Sequence, residues 1–175
     1  MSKVNVILEF REKELIQDVR SIAYSEGESI KAELASSGKN DDGQLTSLIQ
    51  DIAEDINIDR LTRVLGLAHA EIEELLYPYT NKEIERCAWR DDTLKEKIVY
   101  RLDLKVPDTM SRTTINLLEH YVHEFLVARV LADWLTTHYP KSAERWVMTA
   151  ENMKTSIQSC TISRMTRVRK RQSPF

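Results

Sequence analysis

Glycine and proline are scarce, with four of each in 175 residues, and the two cysteines stand far apart at positions 87 and 160. Glycines scattered at 27, 38, 43 and 66 cannot build a phosphate cradle, and no nucleotide-binding glycine fingerprint, nucleophile elbow or HExxH zinc helix is present. So few turn-forming residues also argue against β-rich and collagenous classes. Cys87 and Cys160 belong to no CxxC or Cys/His cluster, which points to two ordinary thiols in a reducing compartment rather than a disulfide. No apolar run approaches the roughly 20 residues of a bilayer span. Met1-Ser2-Lys3 leads into a short alternating segment instead of a cleavable apolar h-region. These absences lead us to expect no enzyme, cofactor or membrane, and a protein made in the cytosol and kept there or in a particle assembled there.

The 42% apolar and 30% charged residues that are present suit one helical globular domain, burying roughly 70% of the surface of its unfolded chain. Charge is uneven. Arg164, Arg167, Arg169, Lys170 and Arg171 give the C-terminus +5, which leaves 20 basic against 28 acidic residues, a net −8, elsewhere. The expected organisation is one domain over residues 1–163 and a basic tail over 164–175, an electrostatic handle on an acidic body.

Two segments alternate with the period of a half-buried strand. Val4, Val6, Leu8 and Phe10 share one face of the first, opposite Asn5, Ile7, Glu9 and Arg11. In the second, Ile98, Tyr100, Leu102, Leu104 and Val106 oppose Arg101, Asp103 and Lys105, and Pro107 ends the run. Two strands are marginal alone, so they must lie on helices, pair with a neighbouring subunit, or both. Elsewhere the period is helical. Leu15, Ile16, Val19, Ile22 and Ala23 mark a helix over about Glu12–Ala35, followed by a loop from Ser36 to Gly43. Leu45, Leu48, Ile49, Ile52, Ala53 and Ile56 mark the next apolar face, with breaks expected near Asn57–Asp59 and at Gly66. A helix over Ala68–Tyr77 stops at Pro78. Thr80 and Glu83 then form a capping box, with Tyr79 stapled to Ile84, for a short helix reaching Trp89.

After Pro107, Asp108 or Thr109 starts the longest helix, whose stripe is Leu117, Leu118, Tyr121, Phe125, Ala128, Leu131, Ala132 and Leu135. Pro140 opens a partner helix that turns Ala143, Trp146, Val147, Ala150, Met153, Ile157 and Cys160 back onto it. The expected fold is mainly α: a helical bundle with a long C-terminal hairpin and a small two-stranded β element.

Three clusters invite a functional reading. In Glu119-His120-Tyr121-Val122-His123-Glu124, His120 lies beside Glu124 and Glu119 beside His123 on a helix; a metal would need further ligands, and the bland reading is a solvated helix flank. Trp134, Tyr139 and Trp146 at the hairpin corner read as core anchors, or as a stacking platform for nucleic acid. The basic tail fits docking on an acidic partner, phosphate contact, or a solvated terminus. Met165 and Val168 among the arginines, and Pro174-Phe175, favour a seated tail.

The C-terminal third also resembles a known pattern. An extended segment ends in Pro, a long helix carries Leu117-Leu118 and closes near Asp133-Trp134-Leu135, and a second helix carries Ala143-Glu144-Arg145-Trp146 and runs into an Arg-rich end. From about Val99 to Arg171 the chain is similar to the small helical head-tail connector (neck or adaptor) proteins of tailed phages, particularly those of gut Bacteroidetes phages and prophages. The resemblance implies a dodecameric ring beneath the portal protein. Such a ring would meet tail or second neck proteins and extend a channel through which genomic DNA passes without sequence-specific binding. By position and character, Arg164, Arg167, Arg169, Lys170, Arg171 and Phe175 are the portal-contacting candidates. The ending Gln172-Ser173-Pro174-Phe175 departs from the family pattern. Independently, the strand of Val4, Val6, Leu8 and Phe10, read as lacking a partner, suits pairing between subunits. A helical DNA-binding module using the basic tail is the alternative function.

Overall fold

The computed structural model describes residues 3–38, 44–80 and 98–162. Its elements in chain order are β1 (Lys3–Arg11), α1 (Glu12–Ser36), α2 (Gln44–Gln50), a 3-10 turn (Asp51–Ala53), α3 (Asp55–Leu75), α4 (Tyr77–Thr80), β2 (Val99–Pro107), α5 (Arg112–His138) and α6 (Pro140–Ile162). The molecule is mainly α, with a C-terminal helical pair and a small antiparallel sheet, as the periodicities imply. Trp89, Cys87, the Glu83 half of the capping box and the whole tail from Arg164 to Phe175 lie outside the described residues.

The strands pair with each other, from Lys3 opposite Pro107 to Arg11 opposite Val99. This corrects the reading of β1 as partnerless. In this register the apolar sides of both strands share one face, so Leu8, Phe10, Tyr100, Leu102, Leu104 and Val106 are buried together. That shared burial specifies the pairing, since a one-residue slip would turn the whole set outward.

α5 is the axis of the bundle, surrounded by α1, α2, α3 and α6. From Phe125 to Leu135 almost every residue is buried, including Leu126, Val127 and Val130, which the expected single stripe omits. Leu117 and Tyr121 are only half-buried, and Val122 takes the inner position. The helix starts later than expected. Residues 108 and 109 form a turn, and Ser111 caps α5 by accepting from the Thr114 amide at 3.2 Å, satisfying one of the free donors of a helix start.

The middle of the chain departs most from expectation. The helical run breaks at Glu54, whose extended backbone (φ −73°, ψ 152°) follows the 3-10 turn, and α3 then passes through Asn57–Asp59 and Gly66 without interruption. The 3-10 turn changes the helical phase, so Ile56, beyond it, is 84% exposed; Leu48, before it on α2, also faces outward, with Thr46 and Ile49 taking the buried positions. Gly66 is tolerated inside the helix, where a glycine costs about 1 kcal/mol against alanine. At Gly27 an added Cβ would come within 3.1 Å of the Gln50 side chain, so that glycine permits the close approach of α2 to α1. α3 ends at Leu75, before Pro78, and the Thr80 hydroxyl donates back to the Glu73 carbonyl at 2.7 Å.

Candidate assembly surfaces

Several polar side chains in the interior hold elements together, whereas the buried Trp146 indole N–H has no partner among the described residues. Glu12, in the first turn of α1, accepts from the Thr62 hydroxyl at 3.0 Å and from the Tyr100 hydroxyl at 3.5 Å. Burial, and then the Glu12 charge, push the Tyr100 phenol well above its usual range, so it stays a donor. His69 donates from Nε2 to the Arg101 carbonyl at 3.2 Å, because a carbonyl only accepts. Together these bonds tie α1, α3 and β2 at one point.

Of the histidine cluster on α5, His123 turns to α1, its Nε2 lying 2.8 Å from Asp18 Oδ2, while His120 and Glu124 are exposed. Among the described residues no three His, Cys, Asp or Glu side chains converge to hold a metal ion. Nor does any helix among them have the length and apolarity to cross a membrane.

The aromatic corner is packing. Trp134 is buried and donates its indole N–H to the Ile49 carbonyl at 3.3 Å. Its ring is taken up by His138 at 4.5 Å and the Arg60 guanidinium at 5.6 Å. Burial, and then Arg60, depress the His138 pKa. Arg60 also forks onto Asp133 at 2.8 and 3.0 Å. Trp146 packs against the core with Arg145 5.5 Å over its ring.

Sequence reasoning missed the seam between α1 and α6. Glu26, only 8% exposed, accepts from Ser142 at 2.8 Å and from Arg145. Two turns further on, Glu33 accepts from Lys141 and, at 3.3 Å, from Tyr139. The hydrogen bond from Lys141 holds the Glu33 carboxyl below its usual pKa, and the same bond raises that of Lys141. A signal was present: Glu26 falls in helical phase with Leu15, Val19, Ala23 and Ile30, the buried residues of α1.

Three surfaces of the described residues are candidates for contact with another chain. The first is the outer edge of β1. Glu12 donates to the Ile98 carbonyl at 3.2 Å and the Arg101 carbonyl points to His69. These two bonds set the phase of the ladder: even-numbered residues of β1 bond to β2, and the backbones of Asn5, Ile7 and Glu9 turn to the other side. No strand among the described residues pairs there. Of the strand candidates, Leu8 and Phe10 are core, Val6 is half-buried and Val4 is 48% exposed, so the surface available to a neighbour lies at the Val4 end and along the outer edge.

The second surface is the outward side of α6, where Val147, expected to face the core, is exposed beside Met148. The third is a cleft of about 860 Å³ along α1, lined among others by Lys13, Ile16, Arg20, Tyr24 and, from across it, Ile58. Portal candidates Arg164, Arg167, Arg169, Lys170, Arg171 and Phe175 follow the end of α6, outside the described residues. Comparison with protein families, curated proteins and solved structures finds no match for this chain.

Proposed function

We propose that this chain is a structural virion protein of a tailed phage, a head-tail connector that joins the portal to the tail. Copies form a ring, dodecameric by the resemblance, which lines the channel for genomic DNA and meets the tail or a second neck ring on its far side. It is assembled in the host cytoplasm and resides at the portal-tail junction. The protein acts by fitting, without bond-making chemistry, cofactor or membrane.

The observation that carries this reading is the C-terminal architecture. α5 and α6 form a hairpin roughly 40 and 35 Å long at 1.5 Å per residue, anchored in the core along α5. α6 runs to Ile162 at the edge of the described residues, and in the sequence Arg164, Arg167, Arg169, Lys170 and Arg171, carrying +5, follow it directly. Cations are favoured near a helix C-terminus, and arginines pair bidentately with carboxylates on a partner. The acidic remainder suits a channel wall, because tight phosphate binding there would hinder passage. Electron microscopy of the purified protein with portal, or of virions, is expected to show rings at the portal-tail junction. A chain that stays monomeric and ignores the portal refutes the reading.

The tail charge also favours a second reading, a helical module that binds DNA through Arg164 to Arg171. That reading requires duplex affinity falling steeply with salt, by up to about 0.9 log units per phosphate contact for each log unit of salt. Absence of binding at low salt removes it.

A further inference from the structure

The side of α1 away from its own α6 borders an open cleft with Lys13 and Arg20 in its lining, and the outward side of α6 exposes Val147 and Met148. Glu26 and Glu33 point toward α6, whereas Lys13, Arg20 and Tyr24 project from the other flank of α1 into the cleft. Lys13 and Arg20 are seven residues apart, two turns or about 10.5 Å along a helix, with Ile16 between them. Glu144 and Glu151 have the same separation on the outward side of α6, with Val147 and Met148 between them. None of these four charged residues joins an ion pair among the described residues. Val147 and Met148 are 42% and 67% exposed, and Tyr24 is 59% exposed, so apolar surface sits inside a frame of charge on both sides.

We infer that α6 of one copy docks in the α1 cleft of the next, with Glu151 against Lys13, Glu144 against Arg20, and Val147 and Met148 on Ile16. This antiparallel sense is the one in which α1 already meets its own α6, since Glu26 pairs with Arg145 and Glu33 with Lys141. Each copy then has helix α6 on one flank of α1 and its neighbour's α6 on the other. Cleft and ridge are different surfaces, so the contact is head-to-tail and closes into a ring when the rotation allows. The inference rests on the ring reading above and names the surfaces that would make it. Opposite charge framing an apolar centre sets register and rejects like-charged partners.

A charge-reversal pair tests this with the full chain. Lys13→Glu with Arg20→Glu makes both surfaces acidic, and Glu144→Lys with Glu151→Lys makes both basic. Light scattering on a sizing column, with far-UV circular dichroism to verify folding, should find the wild type assembling. Each variant alone should need at least about tenfold higher concentration to do so, and an equimolar mixture should regain assembly because each cleft again meets a ridge of opposite charge. Met148→Asp, which leaves the charged frame intact, should also weaken assembly. Variants that assemble like the wild type, or folded variants whose mixture stays apart, overturn this interface and leave the ring reading standing. A wild type that is monomeric at every concentration also overturns the interface, while rings seen only on the portal would preserve the connector reading without it.

Discussion

The two sides of α6 are held by different physics. Toward α5 it buries Ala143, Ala150, Ile157 and Cys160 in apolar contact; toward α1 it is tied by Arg145 and Lys141 reaching two carboxylates. Area removed from water is worth about 25 cal/mol per Å² wherever it occurs, whereas an exposed pair such as Glu33 with Lys141 contributes from nothing to about 1 kcal/mol, and the pairing of Glu26 with Arg145 must first offset the cost of burying the carboxylate. The apolar side therefore supplies the stability of the hairpin, and the polar side fixes the direction in which α6 lies. A helix fixed in this way can keep an outward stripe that contributes nothing to the fold.

The largest expected effect tests the apolar side. Phe125→Ala, at a position 1% exposed on the most enclosed helix, should cost about 3–5 kcal/mol in urea unfolding. A loss below about 1 kcal/mol would contradict the central place of α5. Next comes the seam. Arg145→Ala strands Glu26 in a nearly buried position and should cost about 1–3 kcal/mol, with most of it regained in the Glu26→Leu/Arg145→Ala double variant, because removing both partners removes the unpaired charge. No recovery would show that packing of Arg145 on Trp146 matters more than the pair.

A smaller effect of opposite sign is expected at Gly66→Ala. Nothing lies within 4 Å of an added Cβ there, so the variant should gain about 0.5–1 kcal/mol from helix propensity. The smallest is the pH dependence of the outer ion pair. The folded Glu33 pKa lies below the ordinary 4.5, so its contribution is present above that value and lost as pH falls through the lowered one. His138, also depressed on folding, loses its contribution as pH falls below the ordinary value of about 6.5. Lys141→Ala should flatten the first of these slopes and His138→Gln the second, as measured by thermal melts across pH.

Much of the fold was legible because its signals are local. Strand parity placed Leu8 and Leu102 on the buried face, Pro140 marked the start of α6, and the apolar spacing of α1 gave its length to within a residue at the end. The errors came where a local pattern was overridden. A three-residue 3-10 turn at Asp51–Ala53 shifted the phase that seemed to run on to Ile56, and Gly66 was read as a break although the apolar positions on either side of it, Leu65 and Ala68, share one buried face. α5 looked amphipathic in isolation because its second buried side depends on neighbours distant in sequence. Of the candidate strand, the alternation of Val4, Val6, Leu8 and Phe10 was legible, but its pairing with β2, about 90 residues further along the chain, could not be read from periodicity, and that pairing puts Leu8 and Phe10 in the core. The Glu26 seam drew no reading because an acidic residue in a helix is ordinarily solvated, although Glu26 shares the phase of Val19 and Ile30. Val147 was assigned inward, and its outward position leaves it beside Met148 on the unburied ridge.

One consequence follows from the order of the sheet. Arg11 sits opposite Val99, so β1 cannot complete its ladder until nearly a hundred further residues have been synthesised. Closing so long a loop is entropically costly and non-local pairing is slow. β1 is therefore expected to wait with its ladder groups bare while the helices form, which makes it the last of the described elements to acquire protection against hydrogen exchange.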